Sequence, residues 1–182
     1  IGGYNFKESQ FNRALVAQRQ MGSSFKPMVY ALALRAGIEM DTVFVDEPLE
    51  LTLANGTVYT PKNWTNRFDG PMKLVRALTT SNNIITIKLF LKLGGQYVVP
   101  WVRLFGITRE LTEYPSSALG TAEATVEENA AAFNVFANNG VYVKPYLVEW
   151  VKDAGGTKVW EAEPEFRRVL DSRLNAKMVN LL

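Results

Sequence analysis

The sequence predicts an α+β fold. Stretches with the apolar spacing of helices occupy the middle of the chain, and short segments near its end alternate at the spacing of strands. The chain has 182 residues, of which 47% are hydrophobic and 21% are charged. This length and balance are typical of one globular domain with a sizeable core.

The first predicted helix spans residues 24–36. Pro27 has no N–H and therefore fits only in the first turn, and Gly37 is placed to end the helix. The apolar residues recur at the spacing of one helix face: Met28, Val29, Leu32, Ala33 and Ala36.

The segments on either side of this helix carry fewer signals. Residues 4–21 are polar and irregular, and their aromatic side chains are expected to anchor them in the core: Tyr4, Phe6 and Phe11. Further on, Asn55-Gly56 between the extended runs 49–53 and 58–59 predicts a β-hairpin. Trp64 is expected to anchor the loop that follows.

Three helices are predicted in the middle of the chain, at residues 72–79, 84–93 and 97–105. A polar interruption separates the first from the second. In the third, Pro100 should lie in the first turn or introduce a kink.

The last third combines helices and strands. Thr125-Val126-Glu127-Glu128 is a capping box that starts a helix ending at residues 138–140. The period then changes, and residues 141–143, 146–151 and 158–160 are predicted strands, with a turn at 153–156. Asp171 is expected to cap the last helix.

The overall composition excludes several functions. The net charge of +2 is too small for a nucleic-acid-binding surface, and no run of apolar residues is long enough to cross a membrane. The chain has no histidine and no cysteine, which removes thiol nucleophiles, the most common general base and most metal sites. No metal or organic cofactor is implied by the function considered below.

Ser23 and Lys26 are the first candidate site residues. Residues at i and i+3 lie on one face of a helix, so the two side chains are expected to meet at the start of the first helix. A serine needs a base, and a desolvated lysine with a lowered pKa can be that base. By itself the motif is equally compatible with a capping serine and an exposed lysine.

Ser81-Asn82-Asn83 is the second candidate cluster. It falls between two predicted helices, where a loop can direct side chains into a cleft. Ser81 could relay a proton and hold Lys26, and Asn83 could bind a substrate amide. Taken alone, the cluster is more typical of a helix cap.

Both clusters, with their surroundings, resemble the transpeptidase domain of class A penicillin-binding proteins. The similar segments follow one another in that family's order: residues 11–14, 19–27, 59–64, 76–83, 118–120 and 136–140. The resemblance implies a penicillin-binding protein transpeptidase or serine β-lactamase-like fold. It also implies that Ser23 is the acylated nucleophile, Lys26 its base, and Ser81 and Asn83 the polar members of the Ser-x-Asn motif.

The family's third motif, Lys-Thr-Gly on a strand, is absent from the chain. We therefore interpret residues 1–182 as a partial transpeptidase domain that lacks its first strands and the Lys-Thr-Gly strand, with an incomplete antiparallel sheet. The chain alone is expected to be largely inactive, in part because Lys26 would be more hydrated.

The resemblance implies a serine D,D-transpeptidase that cross-links peptidoglycan stem peptides and is acylated by β-lactam antibiotics. It also implies a location on the outer face of the bacterial cytoplasmic membrane, with anchoring through a part of the protein not in this chain. Two alternatives stay open: a serine β-lactamase or D,D-carboxypeptidase of the same fold, and a non-catalytic β-lactam-binding sensor domain.

Overall fold

Helix α1, Lys26–Arg35, is at the centre of the core in the computed structural model, which describes residues 5–182. A 3₁₀ turn, Gly22–Phe25, leads directly into it. Pro27 lies in the first helical turn, and Gly37 follows the last turn with a φ of +81°. Ile38 N–H donates to Ala33 O and Gly37 N–H to Leu34 O, which is the Schellman pattern of a helix ended by glycine. The predicted first helix is therefore confirmed.

Helices and short antiparallel ladders alternate along the chain. The other helices of the described part are α2 Leu74–Thr79, α3 Asn83–Leu93, α4 Gly95–Arg103, α5 Val126–Ala137 and α6 Ser172–Val179, with a second 3₁₀ turn at Pro115–Leu119. The strands are β1 Arg19–Gln20, β2 Val43–Asp46, β3 Leu51–Thr52, β4 Val58–Tyr59, β5 Gly70–Lys73, β6 Glu123–Ala124, β7 Val141–Val143, β8 Trp150–Lys152, β9 Lys158–Glu161 and β10 Phe166–Arg168. Among residues 5–182, no helix is long and apolar enough to cross a bilayer.

The strands form five two-stranded antiparallel ladders: β1–β6, β2–β5, β3–β4, β7–β10 and β8–β9. Three of them join distant parts of the chain, because β1 pairs with β6 across α1 to α4, β2 pairs with β5, and β7 pairs with β10. The α+β class is confirmed, with small antiparallel sheets in place of one large sheet. The hairpin around Asn55-Gly56 is confirmed as β3–β4.

Helix α1 is buried on all of its sides and not on a single apolar face. Tyr30 and Ala31, which lie off the predicted face, are as buried as Met28 and Val29. Helices α2, α3, α4 and α6 all pack against it. Trp101 of α4 donates its indole N–H to Met28 O at 2.8 Å, so even the backbone of α1 takes part in helix packing.

Three predicted anchors are not supported. Phe6 is 72% exposed, Phe11 47% and Trp64 97%. Their large aromatic side chains predict core positions, but none lies under a neighbouring element, because the core is closed by the helices around α1. Tyr4, the fourth predicted anchor, lies outside the described residues.

Several element boundaries also differ from the prediction. Met72 and Lys73 belong to β5 and not to a helix, because they pair with Phe44 and Val43 of β2. Strand β8 begins only at Trp150. Pro100 lies in the second turn of α4, so a position in the first turn is wrong, and the alternative of a kink stays a prediction. Strands β1, β2, β6 and β10 were not predicted, because their short segments have no alternating pattern of their own. The capping box at Thr125 and the Asp171 cap are confirmed.

A close backbone contact holds the turn before α1. Gly22 N–H donates to Gly120 O at 2.9 Å, which continues the β1–β6 ladder up to the 3₁₀ turn. A Cβ on Gly120 would lie 2.1 Å from Gly22 O, and Gly120 has a φ of +72°. Only glycine fits at this position.

We expect Gly120→Ala to destabilise the protein more than Gly37→Ala. Both glycines have positive φ, which costs an alanine ~1–2 kcal/mol, but a Cβ on Gly37 would have no atom within 4 Å. The steric overlap at Gly120 should add ~1–3 kcal/mol. Thermal unfolding of the two variants measures the difference. Equal losses in both would show that the Gly22–Gly120 contact is not tight.

Candidate active site

Ser23 is an exposed residue in the 3₁₀ turn that leads into α1. Its Oγ lies 2.9 Å from Ser81 Oγ. Gly22, just before it, has a φ of +55° and is held by Gly120. The N–H of Ser23 donates no hydrogen bond within residues 5–182, so it is free to bind an added acceptor.

Lys26 lies beneath Ser23 and is 1% exposed. Its Nζ donates to Ser81 O at 2.6 Å, to Asn83 Oδ1 at 2.7 Å and to Ser81 Oγ at 2.9 Å. The lysine therefore does not point to solvent. The expected direct contact with Ser23 is replaced by a contact through Ser81, because all three of these bonds go to the Ser81–Asn83 segment.

Burial lowers the pKa of Lys26 from 10.5 to about 8. The physical cause is desolvation, which disfavours the charged ammonium. This outcome contradicts the expectation that Lys26 is more hydrated in this chain. The helices around α1 bury the side chain without help from any further strand.

Ser81 and Asn82 lie in the predicted turn between α2 and α3, but Asn83 is already the first residue of α3 and Asn82 caps that helix. Ser81 has a φ of +54° at the position after the end of α2, where glycine is usual. Its N–H donates to Leu78 O, and Asn82 N–H donates to Ala77 O. This strained conformation directs both the carbonyl and the hydroxyl of Ser81 at Lys26, and strain of this kind is common at functional sites.

Ser24 has a different role from its neighbour Ser23. Its Oγ donates to Met21 O at 2.7 Å and lies 3.2 Å from Asn129 Oδ1 of α5. Both contacts are structural, since they tie the 3₁₀ turn to itself and to α5. Of the two adjacent serines, only Ser23 faces Lys26 and Ser81.

Ser23, Lys26 and Ser81 line a surface cavity of about 340 Å³. Its other walls are formed by the end of α2 and the last residues of the chain, with this lining: Pro27, Leu78, Thr79, Leu181 and Leu182. Three of the four candidate residues predicted from the two motifs thus line one opening, and the fourth, Asn83, accepts a hydrogen bond from Lys26. Among residues 5–182, no group of Asp, Glu, His or Cys is arranged to hold a metal ion.

Two residues behind the site were missed. Asn63 Oδ1 accepts from Asn83 N–H at 2.9 Å, and Asp46 is a buried carboxylate that binds Asn63 and Asn82. Asn63 lies in residues 59–64, one of the segments that resemble the family, and this resemblance could have indicated that Asn63 belongs to the site. Asp46 has no sequence signal, because its partners are 17 and 36 residues away along the chain.

A comparison with known families matches residues 3–175 to the penicillin binding protein transpeptidase domain. The chain belongs to this family. Penicillin-binding protein 1A of Neisseria meningitidis is 40% identical over 167 residues, and that of Pseudomonas aeruginosa is 41% identical over 172 residues. Each alignment covers 90% of this chain, and the chain spans about a fifth of the length of these curated relatives: 21% and 20%.

Solved structures show the same transpeptidase fold. The crystal structure of penicillin-binding protein 1A from Haemophilus influenzae superposes with a TM-score of 0.84 at 35% identity, over 91% of this chain and 25% of that one. A penicillin G acyl-enzyme complex of penicillin-binding protein A from M. tuberculosis gives a TM-score of 0.86 at 22% identity, over 98% of this chain and 46% of that one. The second likeness concerns the fold alone.

The lowered pKa of Lys26 predicts a pH-dependent stability. Between about pH 8 and pH 10.5 the unfolded chain still binds the lysine proton and the folded chain does not, so the free energy of unfolding should rise with pH. A shift of this size corresponds to at most ~3 kcal/mol at ~1.4 kcal/mol per pKa unit.

Chemical denaturation across this pH range, on the wild type and on Lys26→Met, measures the effect. The variant keeps Tyr30, whose pKa burial raises to about 12, so the tyrosine contribution cancels in the comparison. Parallel stability curves for the two proteins would contradict a lowered pKa at Lys26.

Proposed function

We propose that this chain is part of a serine D,D-transpeptidase in which Ser23 is the nucleophile, Lys26 the base and Ser81 the proton relay between them. The observation that carries the proposal is the continuous connection from Ser23 Oγ to Ser81 Oγ to Lys26 Nζ, each step 2.9 Å long. Family membership and the name penicillin-binding protein 1A of the relatives support it.

The acceptors around Lys26 favour its role as a base. A neutral lysine amine has two N–H groups and one lone pair. Ser81 O and Asn83 Oδ1 can only accept hydrogen bonds, so they take the two N–H groups. The lone pair is then left for the third neighbour, the Ser81 hydroxyl, which can donate its proton to Lys26 and take one from Ser23.

The lowered pKa makes the neutral amine available near neutral pH. With a pKa of about 8, on the order of a tenth of Lys26 is neutral at pH 7, compared with well under a thousandth at the ordinary pKa of 10.5. General bases work best when their pKa is near the working pH. Burial of Lys26 therefore activates Ser23 without a histidine.

In the proposed reaction Ser23 Oγ bonds to the carbonyl carbon before the terminal D-Ala of a peptidoglycan stem peptide. The bond from that carbon to the D-Ala nitrogen breaks, and the proton from Ser23 passes through Ser81 and Lys26 to the leaving amine. The free N–H of Ser23 supplies one donor for the developing oxyanion. An amine of a neighbouring stem peptide then bonds to the acyl carbon, the ester bond to Ser23 Oγ breaks, and the proton from the amine returns through Lys26 and Ser81 to Ser23.

The same first step accounts for the proposed binding of β-lactam antibiotics, whose ring amide is opened by Ser23. We place the site on the outer face of the bacterial cytoplasmic membrane, where peptidoglycan is assembled. We also propose that the chain is a partial domain, because no Lys-Thr-Gly sequence occurs in it. Membrane anchoring would then belong to another part of the longer protein.

Ser23→Ala should abolish covalent labelling of the longer protein by a fluorescent penicillin, because no other hydroxyl is connected to Lys26 through Ser81 in the described chain. Ser24→Ala is the matched control and should retain labelling, since Ser24 bonds to Met21 and Asn129 instead. Labelling is read by gel fluorescence and intact mass. Persistent labelling of Ser23→Ala would remove Ser23 as the nucleophile.

Residues 1–182 produced alone should label at least ~10²-fold more slowly than the longer protein, because loss of one oxyanion donor typically costs ~10²–10³ in rate. Lys26 is 1% exposed in this chain, so the expected defect comes from the absent Lys-Thr-Gly strand and not from a hydrated lysine. Equal rates of labelling would show that the two motifs present here suffice.

A further inference from the structure

A buried carboxylate lies behind the proposed site, on the side away from Ser23. Asp46, the last residue of β2, is 2% exposed. It accepts from Asn63 Nδ2 at 2.9 and 3.0 Å, from Asn82 Nδ2 at 2.8 Å and from Asp69 N–H at 3.0 Å. Within the part of the chain that the structure describes, no lysine or arginine pairs with it. These neutral donors are what stabilises the buried charge.

The carboxylate helps to fix how both asparagine amides are oriented, and Asn63 Nδ2 also donates to Arg67 O at 2.9 Å. A carboxylate accepts and does not donate, so each amide must turn its NH₂ towards Asp46 and its oxygen away. Asn63 Oδ1 then accepts from Asn83 N–H at 2.9 Å and Ile84 N–H at 3.3 Å. Asn82 Oδ1 accepts from Ile85 N–H at 2.9 Å. Together the two amide oxygens receive three of the first N–H groups of α3.

The same network reaches the residues around Lys26. Asn83 N–H is held by Asn63, and Asn83 Nδ2 donates to Lys62 O at 2.9 Å, which leaves Asn83 Oδ1 facing Lys26 Nζ. Asn82 adjoins Ser81, whose backbone is in the left-handed region. Of the two residues that accept from Lys26, Asn83 is therefore bonded to a residue that contacts Asp46, and Ser81 is the chain neighbour of another.

We propose that Asp46 is a positioning residue for acyl transfer: through Asn63 and Asn82 it holds Ser81 and Asn83 in the arrangement that keeps the lone pair of Lys26 directed at Ser81. The inference rests on the proposed function of Ser23 and Lys26. Asp46 itself does not touch substrate. Its effect is on the chemical step, because Ser81 and Asn83 contact Lys26 and Ser81 contacts Ser23.

Asp46→Asn tests the proposal with almost no change in volume. Whichever way the new amide is placed, its NH₂ faces at least one of the NH₂ groups that now donate to Asp46. Asn63 or Asn82 must then turn or withdraw, and the Ser81–Asn83 segment moves with it. Misplacement of reacting groups by about 1 Å can cost ~10² in rate, so we expect acylation at saturating penicillin to slow at least ~10-fold.

Glu47→Gln is the matched control. Glu47 is the next residue, and its exposed carboxylate pairs with Lys88 away from the site. Glu47→Gln replaces a carboxylate by an amide, as Asp46→Asn does, but it should leave the acylation rate unaltered. Asn82→Ser is a second variant: serine keeps an oxygen able to cap α3 but is too short to reach Asp46. It should slow acylation in the same direction as Asp46→Asn.

The measurement separates positioning from folding. Stopped-flow labelling of the longer protein by a fluorescent penicillin gives the saturating acylation rate, and the end point gives the fraction of competent protein. If Asp46 positions the site, Asp46→Asn lowers the saturating acylation rate, but all of the protein is still labelled at the end point. A lower end point with a wild-type rate in the remaining protein would assign Asp46 a purely structural role and overturn the proposal, as would an unchanged rate in both variants.

Peptide mass mapping of the labelled wild type tests the proposed function independently. If the label is on a residue other than Ser23, the proposed function is wrong. A crystal structure of Asp46→Asn separates the two failures, because it shows directly whether Ser81 and Asn83 leave Lys26. An unmoved Ser81–Asn83 segment overturns the positioning role even when Ser23 is labelled normally.

Discussion

The buried amine of Lys26 is the constraint on which the rest of the site depends. An amine in the core needs oxygen acceptors, and the only three it contacts in the described chain come from Ser81 and Asn83. The turn between α2 and α3 must therefore lie against the start of α1. Because the same turn carries the hydroxyl that meets Ser23, satisfying the buried nitrogen also assembles the proposed proton path.

The fold supports this arrangement from two sides. Helix α1 is enclosed by other helices, which desolvates Lys26 and lowers its pKa to about 8. On the other side, Gly120 approaches Gly22 so closely that a side chain has no space, which holds the backbone just before Ser23. The two features act on different members of the site, the first on Lys26 and the second on Ser23.

The two motifs could be found from sequence because their partners are local. Ser23 and Lys26 are three residues apart, and Ser81 to Asn83 are consecutive, so spacing and turn chemistry made them candidates, and the family resemblance supplied their expected roles. The assignment of Phe6, Phe11 and Trp64 to the core was wrong, because size and hydrophobicity do not reveal whether a neighbouring element covers a side chain. The direct Ser23–Lys26 contact was wrong for a related reason: helix spacing cannot foresee that a third residue lies between them.

The sequence by itself determined the α+β class and the main helices with their caps and terminating glycines, and it indicated the four residues of the candidate site. These depend on interactions within a few residues, such as the Thr125 capping box and the Gly37 turn. Only the tertiary structure decided that Ser81 connects Ser23 to Lys26, that Ser24 faces Asn129, and that Asp46 orients Asn63 and Asn82. Those contacts join residues from 17 to more than a hundred positions apart, and their formation depends on how the helices pack around α1.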